Sequence, residues 1–287
     1  MLENVILDTD VNKDQIKNTL KSEVKRLGER LSVLQQEIKR NNIPVIVLFE
    51  GWGAAGKGSL IGKTILNLDP RGSSMFNTTK PTQEELRKPF MNRFWCDIPQ
   101  NGEIAFFDRG WYFEYSKKNK ESINIFERQL RDNGYLVIKI FLHITKEEQR
   151  ARFDRLLASK NTVWRVTDKD LKENKNYDKS YKKYDEMLEE TNTEYEPWNV
   201  ISGMDKTEAM HEILSIIVEN IEARIKSNDG DGIGIRPEDM QHELVDMPKL
   251  KDVDLAICSM EEDEYRKTLK KLQKKLGRLA YRLYKKR

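Results

Sequence analysis

The chain has 287 residues, 38% hydrophobic and 34% charged, with 51 Lys+Arg against 48 Asp+Glu and a net charge of +3. That length can bury one substantial core with appended helices, and the near-balance of charge excludes a nucleic-acid coat protein, which carries a larger basic excess. The longest apolar run, Ile43 to Phe49, is far short of a membrane span.

The acidic start, MLENVILDTDVNKD, lacks the basic-then-apolar layout of a signal peptide, so a cytoplasmic protein is expected. Ile16, Leu20, Val24, Leu27, Leu31, Leu34 and Ile38 recur at spacings of three and four, predicting an amphipathic helix over 13–40 that Asn41, Asn42 and Pro44 stop. Its apolar stripe is a candidate interface for a homo-oligomer or a face docked within the chain. The β-branched run Ile43 to Phe49 reads as a buried parallel strand. A glycine-rich turn over 51–58 and a helix over 59–66 follow.

Thr82 with Glu85 forms a capping box that predicts a helix through about Trp95. Ile104 to Phe107 is a short strand ending at Asp108. A helix is expected over 122–132, closed by Asn133 and Gly134, then a strand from Tyr135 to Leu142 and a helix capped by Thr145 and Glu148 running to about Ala158. Polar, charged sequence fills 159–176. Beyond it come a helix over 177–190, a strand from Trp198 to Ile201, and a helix opened by Asp205 and Glu208 that runs to about Ile225. Strands alternating with helices define an α/β fold with a mostly parallel sheet covered on both faces.

Residues 226–262 read as a linker or extension, and 263–287 as a strongly basic helix. That helix repeats the first one at a constant offset. Thr19, Leu20, Lys21, Lys25, Leu27, Gly28 and Leu34 recur as Thr268, Leu269, Lys270, Lys274, Leu276, Gly277 and Leu283, as expected at the threshold of a second, homologous domain. Cys96 and Cys258 make no CxxC pair, and His143, His211 and His242 are scattered, so neither a disulfide nor a zinc site is expected.

The strongest chemical signal is Gly51-x4-Gly56-Lys57 between a buried strand and a helix. In such a loop the amides of Gly51, Gly53, Ala54, Ala55, Gly56, Lys57, Gly58 and Ser59 are placed to cradle phosphate oxygens, and Lys57 to reach the terminal phosphates. Gly58 stands where Ser or Thr ordinarily supplies a magnesium ligand, with Ser59 one residue late. Asp108 at a strand end is suited to hold Mg2+, and the planar fork of Arg109 to bind phosphate. Arg150, Arg152, Arg155, Lys160, Arg165 and Lys169 form a basic stretch that reads either as a lid over about 159–176 or as a solvated helix face.

Taken in order, EGWGAAGKGS (50–59), KPT (80–82), EEL (84–86), RFW (93–95), FDRGWY (107–112), WRVT (164–167) and TNTEYEPW (191–198) with Asp205 and Lys206 resemble the motifs of family-2 polyphosphate kinases over roughly 43–225. The resemblance implies a P-loop, thymidylate kinase-like fold and magnesium-dependent phosphate transfer between polyphosphate and AMP, ADP or ATP. No nucleic-acid or membrane partner is implied. The terminal repeat resembles the layout of two-domain polyphosphate:AMP phosphotransferases, with this chain as the first half. The resemblance gives Lys57 and the loop amides to the transferring phosphate, Asp108 to magnesium and Arg109 to the phosphate chain. Lys63 and Lys80 are further contacts, Arg165 acts from the lid, and Arg93 orients substrate.

Two positions depart from the pattern. The family loop carries an aspartate where this chain has Gly53, and Arg109 precedes Gly110 rather than Ser. Three functions fit: a phosphotransferase, expected to be weak or inactive in this chain because Gly53 replaces the loop aspartate; a non-catalytic polyphosphate-binding or scaffolding domain; and an ATP-dependent nucleotide kinase. On sequence alone, restoring the acid by Gly53→Asp is expected to raise a residual rate.

Overall fold

The computed structural model describes residues 1–5, 13–228 and 261–285. They divide between two compact units, Met1–Ile235 and Arg236–Arg287. The first unit opens with α1 (Lys13–Asn41), β1 (Val45–Gly51), α2 (Lys57–Ile65) and β2 (Ser73–Asn77). Next come a short α3 (Asn92–Trp95), β3 (Ile104–Asp108), α4 (Lys120–Asp132), β4 (Leu136–His143) and α5 (Lys146–Leu157). It closes with α6 (Asp168–Lys175), α7 (Tyr177–Glu190), β5 (Trp198–Ser202) and α8 (Lys206–Asn228). In the second unit α9 spans Glu262–Lys285, with Leu272, Leu276 and Leu283 exposed.

All five strands are parallel, in the order β2-β3-β1-β4-β5. Every residue of β1 is buried, as its uninterrupted apolar run requires of a strand covered on both faces. Phe49 pairs with Asp108 and Gly51 with Leu142, so the ends of β1, β3 and β4 lie at one edge. Connections from β1 lead to β2 and β3 on one side and on to β4 and β5 on the other, and the crevice beyond the strand ends at such a switch point is where open α/β sheets bind ligands.

From Leu27 onward the stripe of α1 is spent within the chain. Leu27, Leu31, Leu34 and Ile38 are buried, α1 lies against α8, and Arg30 pairs with Glu222 at 2.7 Å. Burial of each such side chain is worth roughly 1.5–3 kcal/mol, so the stripe gives no separate argument for an oligomer.

The chain departs from the sequence expectations at three elements, of which β2, the edge strand at Ser73–Asn77, was not expected at all. Thr82 and Glu85 do form their reciprocal capping bonds, but only a single turn follows, Glu85–Arg87. Lys88 is extended (φ −107°, ψ 162°) because it precedes Pro89, and helix resumes only at Asn92. Conversely, 159–176 is not simply polar loop. Thr167 and Asp170 make a complete capping box that opens α6. The expected linker lies outside the described residues beyond Asn228, as do Cys258, His242 and the last two residues of the basic helix.

Candidate active site

Between β1 and α2 the backbone folds into a nest. Gly51 has φ +131°, and a Cβ there would stand 2.3 Å from the carbonyl oxygen of Leu142, so only glycine fits. Ala54 (φ +59°) and Gly56 (φ +104°) also have positive φ, and within the loop the Trp52 amide donates to Leu142 O (3.3 Å), the Gly53 amide to Glu173 Oε2 (3.1 Å) and the Ala55 amide to Trp52 O (3.2 Å). The first amides of α2, from Lys57 to Ser59, are those a helix leaves without an internal partner.

The lysine of the loop is folded across it. Lys57 Nζ donates to the carbonyls of Gly51 (2.7 Å) and Trp52 (2.9 Å) and is buried. Burial pushes its pKa down and Arg109 adds to this, while Asp108, Glu50 and Glu173 oppose it. Asp108 lies beside the first turn of α2, its Oδ2 3.3 Å from where a Cβ would stand on Gly58. Arg109 (φ +61°) donates its amide to Phe49 O at 3.0 Å, with its guanidinium 5.4 Å from the Phe113 ring centre. At the end of β1, Glu50 is buried with Oε1 unpartnered, and burial raises its pKa to about 7 against the pull of Lys57 and Arg109.

Side chains distant in sequence hold the loop from outside. Trp52 stacks on Tyr177 (centroids 4.0 Å apart, planes at 8°) and donates Nε1 to His143 Nδ1 at 2.8 Å. Gln149 Nε2 donates to Gly53 O at 3.2 Å. Arg152 donates to the carbonyls of Ala54 (3.2 Å), Ala55 (3.1 Å), Gly203 (2.7 Å) and Met204 (3.0 Å). Arg152 therefore belongs to the loop's support and not to a lid. Arg150 pairs with Asp154, and Arg155 with Glu148.

The structure thus gathers Lys57, Asp108, Arg109 and the loop backbone at one strand edge. The remaining expected side chains stand as follows. Ser59, Lys63 and Lys80 are exposed. Arg93 pairs with Glu85 at 3.5 Å and lies against the Phe94 ring. Arg165 is exposed beside the Trp164 ring, in a single turn ahead of α6. Parts of two motifs prove structural: Trp111 and Tyr112 donate to Glu127, and Thr191 receives bonds from Lys139 and Trp198.

Sequence reasoning missed Glu50, Gln149, Arg152 and Glu173 as parts of this site. Gln149 and Arg152 lie three apart on α5 and so share a face, and the Thr167–Asp170 box announced α6. Neither signal says what those side chains touch.

No group of three or more acidic, His or Cys residues among the described residues is arranged to hold a metal. Magnesium is commonly held by one or two carboxylates with waters and substrate phosphates completing its shell. Asp108 beside the loop and the orphaned, buried Oε1 of Glu50 fit that donor set.

Sheet, nest and lysine together define a P-loop kinase-like fold. Residues 14–229 match the family described as Polyphosphate kinase 2 (PPK2), and the chain belongs to that family. It is 32% identical over 217 residues to a polyphosphate:AMP phosphotransferase of Acinetobacter johnsonii, a match covering 71% of this chain and 45% of that one. An ADP-polyphosphate phosphotransferase of Rhodopseudomonas palustris is 30% identical over 221 residues, covering 68% and 76%. The crystal structure of a protein described as a polyphosphate kinase 2 from Pseudomonas aeruginosa superposes with a TM-score of 0.72 at 29% identity, covering 78% of this chain and 50% of that one. The chain spans about half the length of the polyphosphate:AMP phosphotransferases it matches.

Proposed function

We propose that this chain transfers phosphoryl groups between polyphosphate and a nucleoside mono- or diphosphate. The observation that carries the reading is Lys57, buried and bonded to carbonyls of its own loop, with Asp108 beside the first turn of the helix it opens. A lysine so held exchanges those carbonyls for phosphate oxygens while the amides from Gly56 to Ser59 bind the same anion. Arg109 meets the phosphate chain with its fork, and Arg165 reaches it from the segment before α6. Lys63, Lys80 and Arg93 make outer contacts. Mg2+ at Asp108 would spread the charge that builds on the transferring group.

The compartment proposed is the cytoplasm; no helix among the described residues is long and apolar enough to cross a membrane. A second domain homologous to the region after α1 is proposed from the repeat carried by α9. A non-catalytic binding role is the second reading, favoured by Gly53.

Turnover decides between the two. With magnesium, polyphosphate and AMP or ADP, the chain is expected to form ADP or ATP, and Lys57→Ala to lower the rate at least about 10³-fold. Polyphosphate binding without turnover selects the second reading, and neither binding nor turnover rejects both.

A further inference from the structure

One aromatic ring at the edge of the site gathers two cations. Phe113 lies in the single turn Trp111–Glu114 that follows β3. The Arg109 guanidinium stands 5.4 Å from its ring centre and Lys169 Nζ 4.7 Å, both in cation–π range. Heads that close to one ring lie within about 10 Å of each other, the range over which charges still interact at 0.1 M salt. Neither side chain makes a hydrogen bond or an ion pair among the described residues. Arg109 also weighs, after burial, against the charge on Lys57. Like charges brought together without a counter-ion repel, and a polyanion relieves that repulsion at several points at once.

The position of Lys169 is fixed by the seating of α6 on the loop. Glu173 Oε2 accepts from Gly53 N at 3.1 Å and Gln149 Nε2 at 3.0 Å, and its Oε1 from Tyr184 OH at 2.8 Å. Asn174 Nδ2 donates to Lys146 O at 2.9 Å and Gln149 Oε1 at 3.0 Å. Lys169 precedes Glu173 by one helical turn and so shares its face. That spacing ordinarily pairs a lysine with a glutamate. Here the glutamate is taken by the loop, and Lys169 turns to Phe113 instead. The same seating reverses the expectation for Gly53→Asp. A Cβ there would stand 3.0 Å from Glu173 Oε2 and 3.2 Å from Asp170 Oδ1, so the new side chain meets two like charges.

We infer that Lys169 is a further contact for the phosphate chain, carried by α6 to the Phe113 ring so that it grips, with Arg109, the polyphosphate and not the nucleotide. This rests on the phosphotransfer reading above, and adds to it a residue that lies outside every motif carrying the family resemblance.

The test titrates long-chain polyphosphate, and separately ADP, into the full chain by calorimetry at several salt concentrations, with thermal melting beside it. Lys169→Met should weaken polyphosphate at least about threefold and lower the slope of log Kd against log salt by about one. Its ADP affinity and melting temperature should be kept. Lys169→Arg retains the charge and should retain both affinity and slope. Native-like polyphosphate binding by Lys169→Met overturns the inference, as does an equal loss of ADP. Equal weakening in Lys169→Arg also overturns it, since the residue would then act through packing. So does a native chain that binds no polyphosphate. A flat result at Lys169 leaves Lys57-dependent turnover, and with it the phosphotransfer reading, standing. Absence of that turnover rejects phosphotransfer, while the titration still reads Lys169 as a polyphosphate contact.

Discussion

Two buried lysines with a glutamate for neighbour serve this domain in opposite ways. Lys139, in the middle of β4, is fully buried and donates to Glu127 (2.9 Å), Thr191 O (2.8 Å) and Tyr112 OH (3.2 Å). Glu127 is completed by Trp111 and Tyr112. Lys57 bonds only to carbonyls of its own loop, and Glu50 keeps an oxygen without a partner. A closed network fixes a core; an open one waits for a ligand, because an unsatisfied buried polar atom carries a desolvation cost that binding can remove.

The largest effect belongs to the closed network. Lys139→Met leaves Glu127 buried without its counter-charge and should cost about 3–5 kcal/mol in urea unfolding. A cost below 1 kcal/mol would show the two networks to be alike. Arg152→Met follows, since it deprives four carbonyls at the loop of their shared donor. We expect about 2–4 kcal/mol of lost stability and weaker polyphosphate binding by calorimetry.

Next comes pH. His143, whose Nδ1 accepts the Trp52 bond beneath the loop, has its pKa lowered from 6.5 to about 4 by burial, with Asp185 pulling the other way. The unfolded chain takes up that proton near 6.5 and the folded chain only near 4, so stability contributed here is present above 6.5 and lost as pH falls towards 4. His143→Asn should flatten that part of a stability–pH curve measured by urea titration. The smallest effect should come from Glu50→Gln, which removes a strained buried charge and should stabilise by about 1 kcal/mol. The same substitution at Glu127 must destabilise, and equal signs at the two positions would erase the contrast.

Parts of the site that depend on neighbouring residues were legible in the chain. An apolar run, glycines at fixed spacing and a lysine opening a helix specify the nest, because backbone sterics and the strand and helix periods act over a few residues. Asp108 was legible because it ends a strand of its own. The Pro89 break, by contrast, was visible in the sequence but overruled by a capping box that forms and stops after one turn.

By itself, then, the sequence determined the α/β alternation, the nest, the placing of Lys57 at the start of a helix, and that of Asp108 and Arg109 at a strand end. Only the tertiary structure decided what supports and completes that nest. Gly53 and Glu173 meet across 120 residues, and Arg152 reaches Ala54 across 98. No local rule links such positions, since their contact exists only once β1, α5 and α6 have packed.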